Sequence, residues 1–86
     1  MQEEILEFPC SYGVKAMGLA AEDFVEHVIE LVSRHAERPD PESVSIRPSR
    51  GDKYYSVTVT VQALSRYHLE CIYGELKASD RVLFLL

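Results

Sequence analysis

From Tyr54 to Ala63 the chain reads Tyr-Tyr-Ser-Val-Thr-Val-Thr-Val-Gln-Ala, apolar and polar residues taking turns without a break. Side chains on a strand leave to opposite faces in alternation, so this segment is a strand with one apolar and one hydroxyl-rich face. A sheet built on it has one side pressed against helices and the other available to water, a ligand or a partner. The pattern constrains architecture far more than chemistry.

Eighty-six residues hold one core, and an apolar fraction of 47% supplies it without metal or disulfide staples. With 14 acidic against 9 basic residues and a formal charge of -5, nucleic acid is excluded as a main partner, because phosphate binding needs clustered Lys and Arg. The local exception is Arg47, Arg50 and Lys53 around one turn, which reads either as a solvated turn or as an anion-docking patch. Cys10 and Cys71 stand far apart with no tighter pattern, as reduced thiols do in a cytoplasmic protein. The start, Met1-Gln2-Glu3-Glu4-Ile5, has no basic and apolar leader, and no apolar run approaches the roughly 18 residues of a membrane span. A cytoplasmic location with no membrane partner is therefore expected.

Residues 1–9 read as an arm with Ile5, Leu6 and Phe8 as anchors, and 10–86 as a single domain. A first strand is expected over 12–17, a turn at Gly18-Leu19-Ala20, and a helix over 21–37. In that helix Phe24, Val25, Val28, Ile29 and Val32 share one face, while Glu22, Glu26, Glu30 and Arg34 share the other, Glu30 and Arg34 in favourable i, i+4 order. Pro39-Asp40-Pro41 ends it. A short strand over 43–47, a turn in which Gly51 takes positive φ, and the long strand follow. Ser65 caps a second helix whose seam is Leu69, Ile72, Tyr73 and Leu76, and 81–86 closes as a last strand.

The order β-α-β-β-α-β specifies an α+β, ferredoxin-like sandwich: a four-stranded antiparallel sheet with both helices on one face. The last strand is apolar on both alternations, with Val82, Phe84 and Leu86 on one and Leu83 and Leu85 on the other. In this fold it lies at a sheet edge, and a two-sided apolar edge invites pairing. Either the arm covers it or a second copy of the protein does, with Leu83 and Leu85 as the self-association residues.

The chemistries this fold hosts find little support in these residues. The open face of the long strand carries one tyrosine at its end, which is no base-stacking platform. Paired thiolates are missing from the first turn, so no metal carrier is expected. His68 and Cys71 sit on neighbouring turns of the second helix, but two ligand types make no metal site. No arginine grips phosphate at the first turn, and no asparagine exists to place a water. His27 and His35 read as surface residues of the first helix. Neither a catalytic residue nor a cofactor is expected. What survives is a corner where Lys15 and Met17 leave the first strand beside Gly18, offering charge and free N–H groups to a small anionic ligand.

Glu7-Phe8-Pro9, then Tyr12, Lys15 and Met17-Gly18, then Gly51 before Tyr54-Tyr55-Ser56-Val57, then Tyr73, Leu76 and a hydrophobic end together resemble the YbeD family of small bacterial proteins of unknown function. The resemblance covers nearly the whole chain and implies an ACT-like fold, the regulatory module that binds amino acids and other small effectors, usually across a dimer interface. It implies no enzymatic activity and no cofactor. Two features depart from the pattern: a longer turn before Tyr54, and Gly74 inside the second helix, where it marks a close contact. The expected function is thus a non-enzymatic regulatory or protein-interaction module, self-associating through its open sheet face or last strand. The alternative is a domain binding an amino acid or small carboxylate at Lys15, Met17 and Gly18.

Overall fold

The computed structural model describes residues 6–86 and has the anticipated element order. Strand β1 (Cys10–Leu19) leads to helix α1 (Phe24–Ser33), strand β2 (Val44–Pro48), strand β3 (Tyr54–Ala63), helix α2 (Arg66–Lys77) and strand β4 (Phe84–Leu85). The sheet order is β2-β3-β1-β4 with every neighbouring pair antiparallel. β1 and β3 pair along their full length, Val14 opposite Val59 and Ala16 opposite Val57. This is the ferredoxin-like α+β arrangement.

The alternation in β3 sorts the sheet into two faces. Val57, Val59, Val61 and Ala63 are buried under the helices with Val14 and Ala16 of β1. Phe24, Val28, Leu31 and Val32 of α1 and Leu69, Ile72 and Leu76 of α2 complete that core. Each buried aliphatic or aromatic side chain of this size stabilises the fold by roughly 1.5–3 kcal/mol, so these few residues carry most of the stability. Leu6 and Phe8 of the arm pack against the same core, while Ile5 lies outside the described residues.

Local chemistry sets the boundaries. Ser65 caps α2 as anticipated, its hydroxyl accepting from the His68 N–H at 3.0 Å. Gly51 adopts φ 80 in the β2–β3 turn, with Asp52 beside it at φ 58. Helix α1 is shorter than the 21–37 its apolar face suggests. At its start Asp23 is the N-cap, yet its carboxylate makes no cap bond and instead receives both Arg81 guanidinium nitrogens, at 3.0 and 2.7 Å. At its end the Arg34 and His35 amides turn back to Leu31 and Val32. The side chains of Arg34 and His35 reach across to Glu75 on α2, so Arg34 is not paired with Glu30. Inter-helix partners outcompeted the local ones.

Two glycines correct the sequence reading. Gly18 makes no turn: β1 runs through it to Leu19, and it is buried on the helix side. A Cβ there would strike the Arg81 carbonyl oxygen and stand 2.6 Å from the Phe24 ring. Gly74, expected to mark a close contact, faces open space with nothing within 4 Å of a Cβ. It is an exposed helix-interior glycine.

Urea unfolding separates the two roles. Gly18→Ala is expected to destabilise the protein by about 2–3 kcal/mol through overpacking against backbone. Gly74→Ala is expected to stabilise it by about 0.5–1 kcal/mol, because alanine has the higher helix propensity.

Candidate functional site

The face of the sheet away from the helices is open, and the register fixes what stands on it. Across the strands run Arg47, Ser56, Met17 and Phe84 in one row and Ser45, Thr58 and Lys15 in the next. Tyr54 and Leu19 pair at one end of the face; Thr60 with Gly13 and Gln62 with Ser11 extend it to the other. Its β2–β3 half is therefore hydroxyl-rich with Arg47 at its edge, and its β1–β4 half sets the apolar Met17 and Phe84 beside Lys15. Among the described residues no Asp or Glu occupies an outward-facing strand position, although the chain carries 14 acidic residues.

At the β1–β4 edge the last strand is shorter than anticipated. The turn at Ser79 holds the Arg81 and Val82 amides, so pairing with β1 begins only at the Leu83 N–H, which donates to the Met17 carbonyl at 2.8 Å. It ends with the Leu86 N–H on the Lys15 carbonyl at 3.0 Å. Of the residues proposed for self-association, Leu83 is 48% exposed, whereas Leu85 pairs with Ala16 on the helix side and packs against the core. Phe84 and Leu86, at 59% and 66% exposure, are the edge's most open apolar side chains. From the helix side the Tyr73 hydroxyl donates to the Leu86 carbonyl at 3.4 Å, and burial, with Tyr12 beside it, pushes that hydroxyl up to about 12.

Lys15, Met17 and Gly18 do not meet around one cavity. Lys15 and Met17 stand on the open face, and Gly18 points into the helix layer beneath Phe24. The corner after β1 does contain a hollow of about 380 Å³, lined by Leu19, Ala20, Ala21, Asp80, Arg81 and Leu83. The one cation among its described lining residues, Arg81, is engaged by Asp23 and lies 5.8 Å from the Phe24 ring centre. That ion pair holds the Asp23 carboxyl below its ordinary range. A second hollow, of about 460 Å³, opens between the segment after α1 and the end of β3, with Arg38, Asp40, Thr60 and His68 among its lining.

All three histidines are structural links, which surface position in the sequence did not reveal. His27 joins α1 to the turn after α2 through the Ser79 hydroxyl at 2.8 Å. His35 binds Glu75 at 2.9 Å. His68 accepts the Leu64 N–H on Nδ1 at 3.0 Å and meets the His35 carbonyl through Nε2 at 2.5 Å, which selects the tautomer protonated on Nε2. With both nitrogens used, His68 offers no lone pair to a metal beside Cys71. Among the described residues no three or more His, Cys, Asp or Glu are grouped to hold a metal ion, and no helix is long and apolar enough to cross a membrane.

The family described as "Protein of unknown function (DUF493)" matches residues 3–86. The chain belongs to this family. A UPF0250 protein of Paraburkholderia phymatum is 37% identical over 86 residues, covering 100% of this chain and 97% of that one. One from Photorhabdus laumondii is 44% identical over 73 residues, covering 85% and 82%. One from Vibrio cholerae is 40% identical over 84 residues, covering 98% and 89%. These relatives bear out the resemblance to the YbeD family, and they carry no enzyme name.

The inter-helix charges carry a pH signature. His35 first, then Arg34, holds the Glu75 carboxyl below its ordinary 4.5, and Arg81 does the same for Asp23 below 3.8. A carboxyl depressed in the folded state stabilises it fully above the unfolded value, and that contribution is lost as pH falls through the folded value. Melting temperature is therefore expected to fall as the pH drops below about 4.5, and the fall should be shallower in Glu75→Gln, as pH-dependent calorimetry will show.

Proposed function

We propose that the protein is a non-enzymatic interaction module that acts by docking, with copies of itself among its partners. One observation carries the reading. Leu19, Leu83, Phe84 and Leu86, each between 48% and 66% exposed, crowd the β1–β4 end of a sheet whose outer face has no helix over it among the described residues. Scattered exposed apolar residues need no explanation, but neighbours at a sheet edge offer both backbone pairing and apolar burial. β4 is short and unblunted by proline or charge between Val82 and Leu86, whereas the opposite edge strand β2 carries Arg47 and Pro48. The asymmetry favours association at β4.

A second reading is supported by the 380 Å³ hollow after β1. A small carboxylate entering beside Arg81 would share that guanidinium with Asp23, which makes the hollow a candidate effector site in place of one spanning Lys15, Met17 and Gly18. A ligand that prefers the native state must raise its melting temperature. Thermal shift with amino acids and small carboxylates tests this reading, and no shift with any of them would remove it.

Sedimentation velocity over a concentration series tests the leading reading. The wild-type chain is expected to shift toward a dimer with rising concentration, and Phe84→Glu to remain monomeric at every concentration with an unchanged circular dichroism spectrum. A wild-type chain that stays monomeric throughout would refute self-association.

A further inference from the structure

The cationic turn singled out in the sequence lies at the rim of the open face, and the two belong to one surface. We infer that the open sheet face is the docking surface for an acidic amphipathic helix of another protein chain. The inference rests on reading this protein as a docking module, and it does not depend on self-association.

Charge complementarity decides the partner's sign. The chain is acidic overall, yet Lys15 and Arg47 stand on the open face and Arg50 and Lys53 flank it in the β2–β3 turn. The nearest carboxylate along the chain is Asp52 in that same turn; the strand positions themselves carry none. A surface that opposes the net charge of its own protein attracts anions and repels a second copy's cationic face.

The layout of the face decides the partner's shape. Adjacent strands stand about 4.8 Å apart, so Arg47 and Lys15, on β2 and β1 with β3 between, are separated laterally by about 10 Å. A helix with its side chains is about 10–12 Å across and covers that span. Its apolar stripe would lie over Met17 and Phe84, and its carboxylates would face Arg47, Lys53 and Lys15. Between them Ser56 and Thr58 present hydroxyls that can donate to carboxylates or hold water. Gly13, outward-facing with no side chain, leaves the far end of the face flat enough for close approach.

A nucleic acid fits less well. Single-stranded binding depends on aromatic faces in a tracking cationic groove. Here Tyr54 and Phe84 stand on separate strands, and Lys53 lies 5.6 Å from the Tyr54 ring centre, where it competes with a base for that face.

The test uses the intact protein and synthetic helices: leucine–glutamate heptads, the same heptads with lysine for glutamate, and a single-stranded oligonucleotide. Binding is followed by fluorescence anisotropy at low and high salt, and the contact surface by side-chain NMR of Met17, Phe84 and the threonines. The acidic helix is expected to bind, to weaken on the order of tenfold at high salt or in Lys15→Glu/Arg47→Glu, and to shift Met17, Phe84 and Thr58 resonances. Thr58→Glu, a single change in the middle of the face, is expected to weaken it as well. Equal binding of the lysine helix, or tighter binding of the oligonucleotide, overturns the inference while leaving the docking module standing. So do shifts confined to the helix side. A chain that binds no peptide yet dimerises through Phe84 overturns this inference alone, and a monomer that binds the acidic helix overturns self-association alone.

Discussion

The approach of three segments at Gly18 is the contact on which the rest of the architecture depends. With only a hydrogen where other residues carry Cβ, the strand lets the Phe24 ring lie against its backbone and the Arg81 carbonyl come down beside it. Phe24 begins α1 and is fully buried, so the first helix is seated at its first turn. Arg81 belongs to the turn after α2, and its guanidinium reaches back to Asp23 at the α1 N-cap. The start of α1, the end of β1 and the approach to β4 are thereby fixed to one another. β4 meets β1 where it does, opposite Met17 and Ala16, because this corner sets where the chain leaves the turn.

From that corner follows the contrast between the two sides of the sheet. On the helix side the side chains are small enough to fit between strand and helix: Ala16, Val57, Val59 and Ala63 beneath Val28, Ile72 and Leu76. Burial there supplies the driving force, while exposed ion pairs such as Arg38 with Glu26 add at most about 1 kcal/mol each. The opposite face contributes hydroxyls, two cations and a few apolar side chains that the fold itself does not need. A substitution there leaves the core intact. This separation leaves one whole sheet face of a small domain outside the core.

Where the sequence was legible, one strong periodicity met no competitor. β3 kept its full length from Tyr54 to Ala63, and α2 started at the Ser65 cap with Leu69, Ile72 and Leu76 inward. Ends governed by distant partners were illegible. α1 stops at Ser33 with the Arg34 and His35 amides turned back to Leu31 and Val32, and the side chains of these two residues serve Glu75, about forty residues away, which no local pattern announces. Gly18 read as a turn residue because a glycine needed for close approach and one needed for a turn look alike in sequence. Leu83 and Leu85 shared one alternation, yet the turn at Ser79 delayed pairing, leaving Leu83 half-exposed and Leu85 on the core. The cationic turn was visible in the sequence, but its place at the rim of a face whose strand positions carry no Asp or Glu required the register.

The central claim is that one face of this sheet is sealed by helices and the other is bare in the single molecule. Solvent paramagnetic relaxation, measured by NMR with an inert soluble gadolinium chelate at the lowest workable protein concentration, tests it directly. The account predicts strong broadening at Lys15, Met17, Thr60, Gln62 and Phe84, with Val14, Val59 and Ile72 unaffected. Comparable protection of both sets in a chain that sediments as a monomer would contradict it.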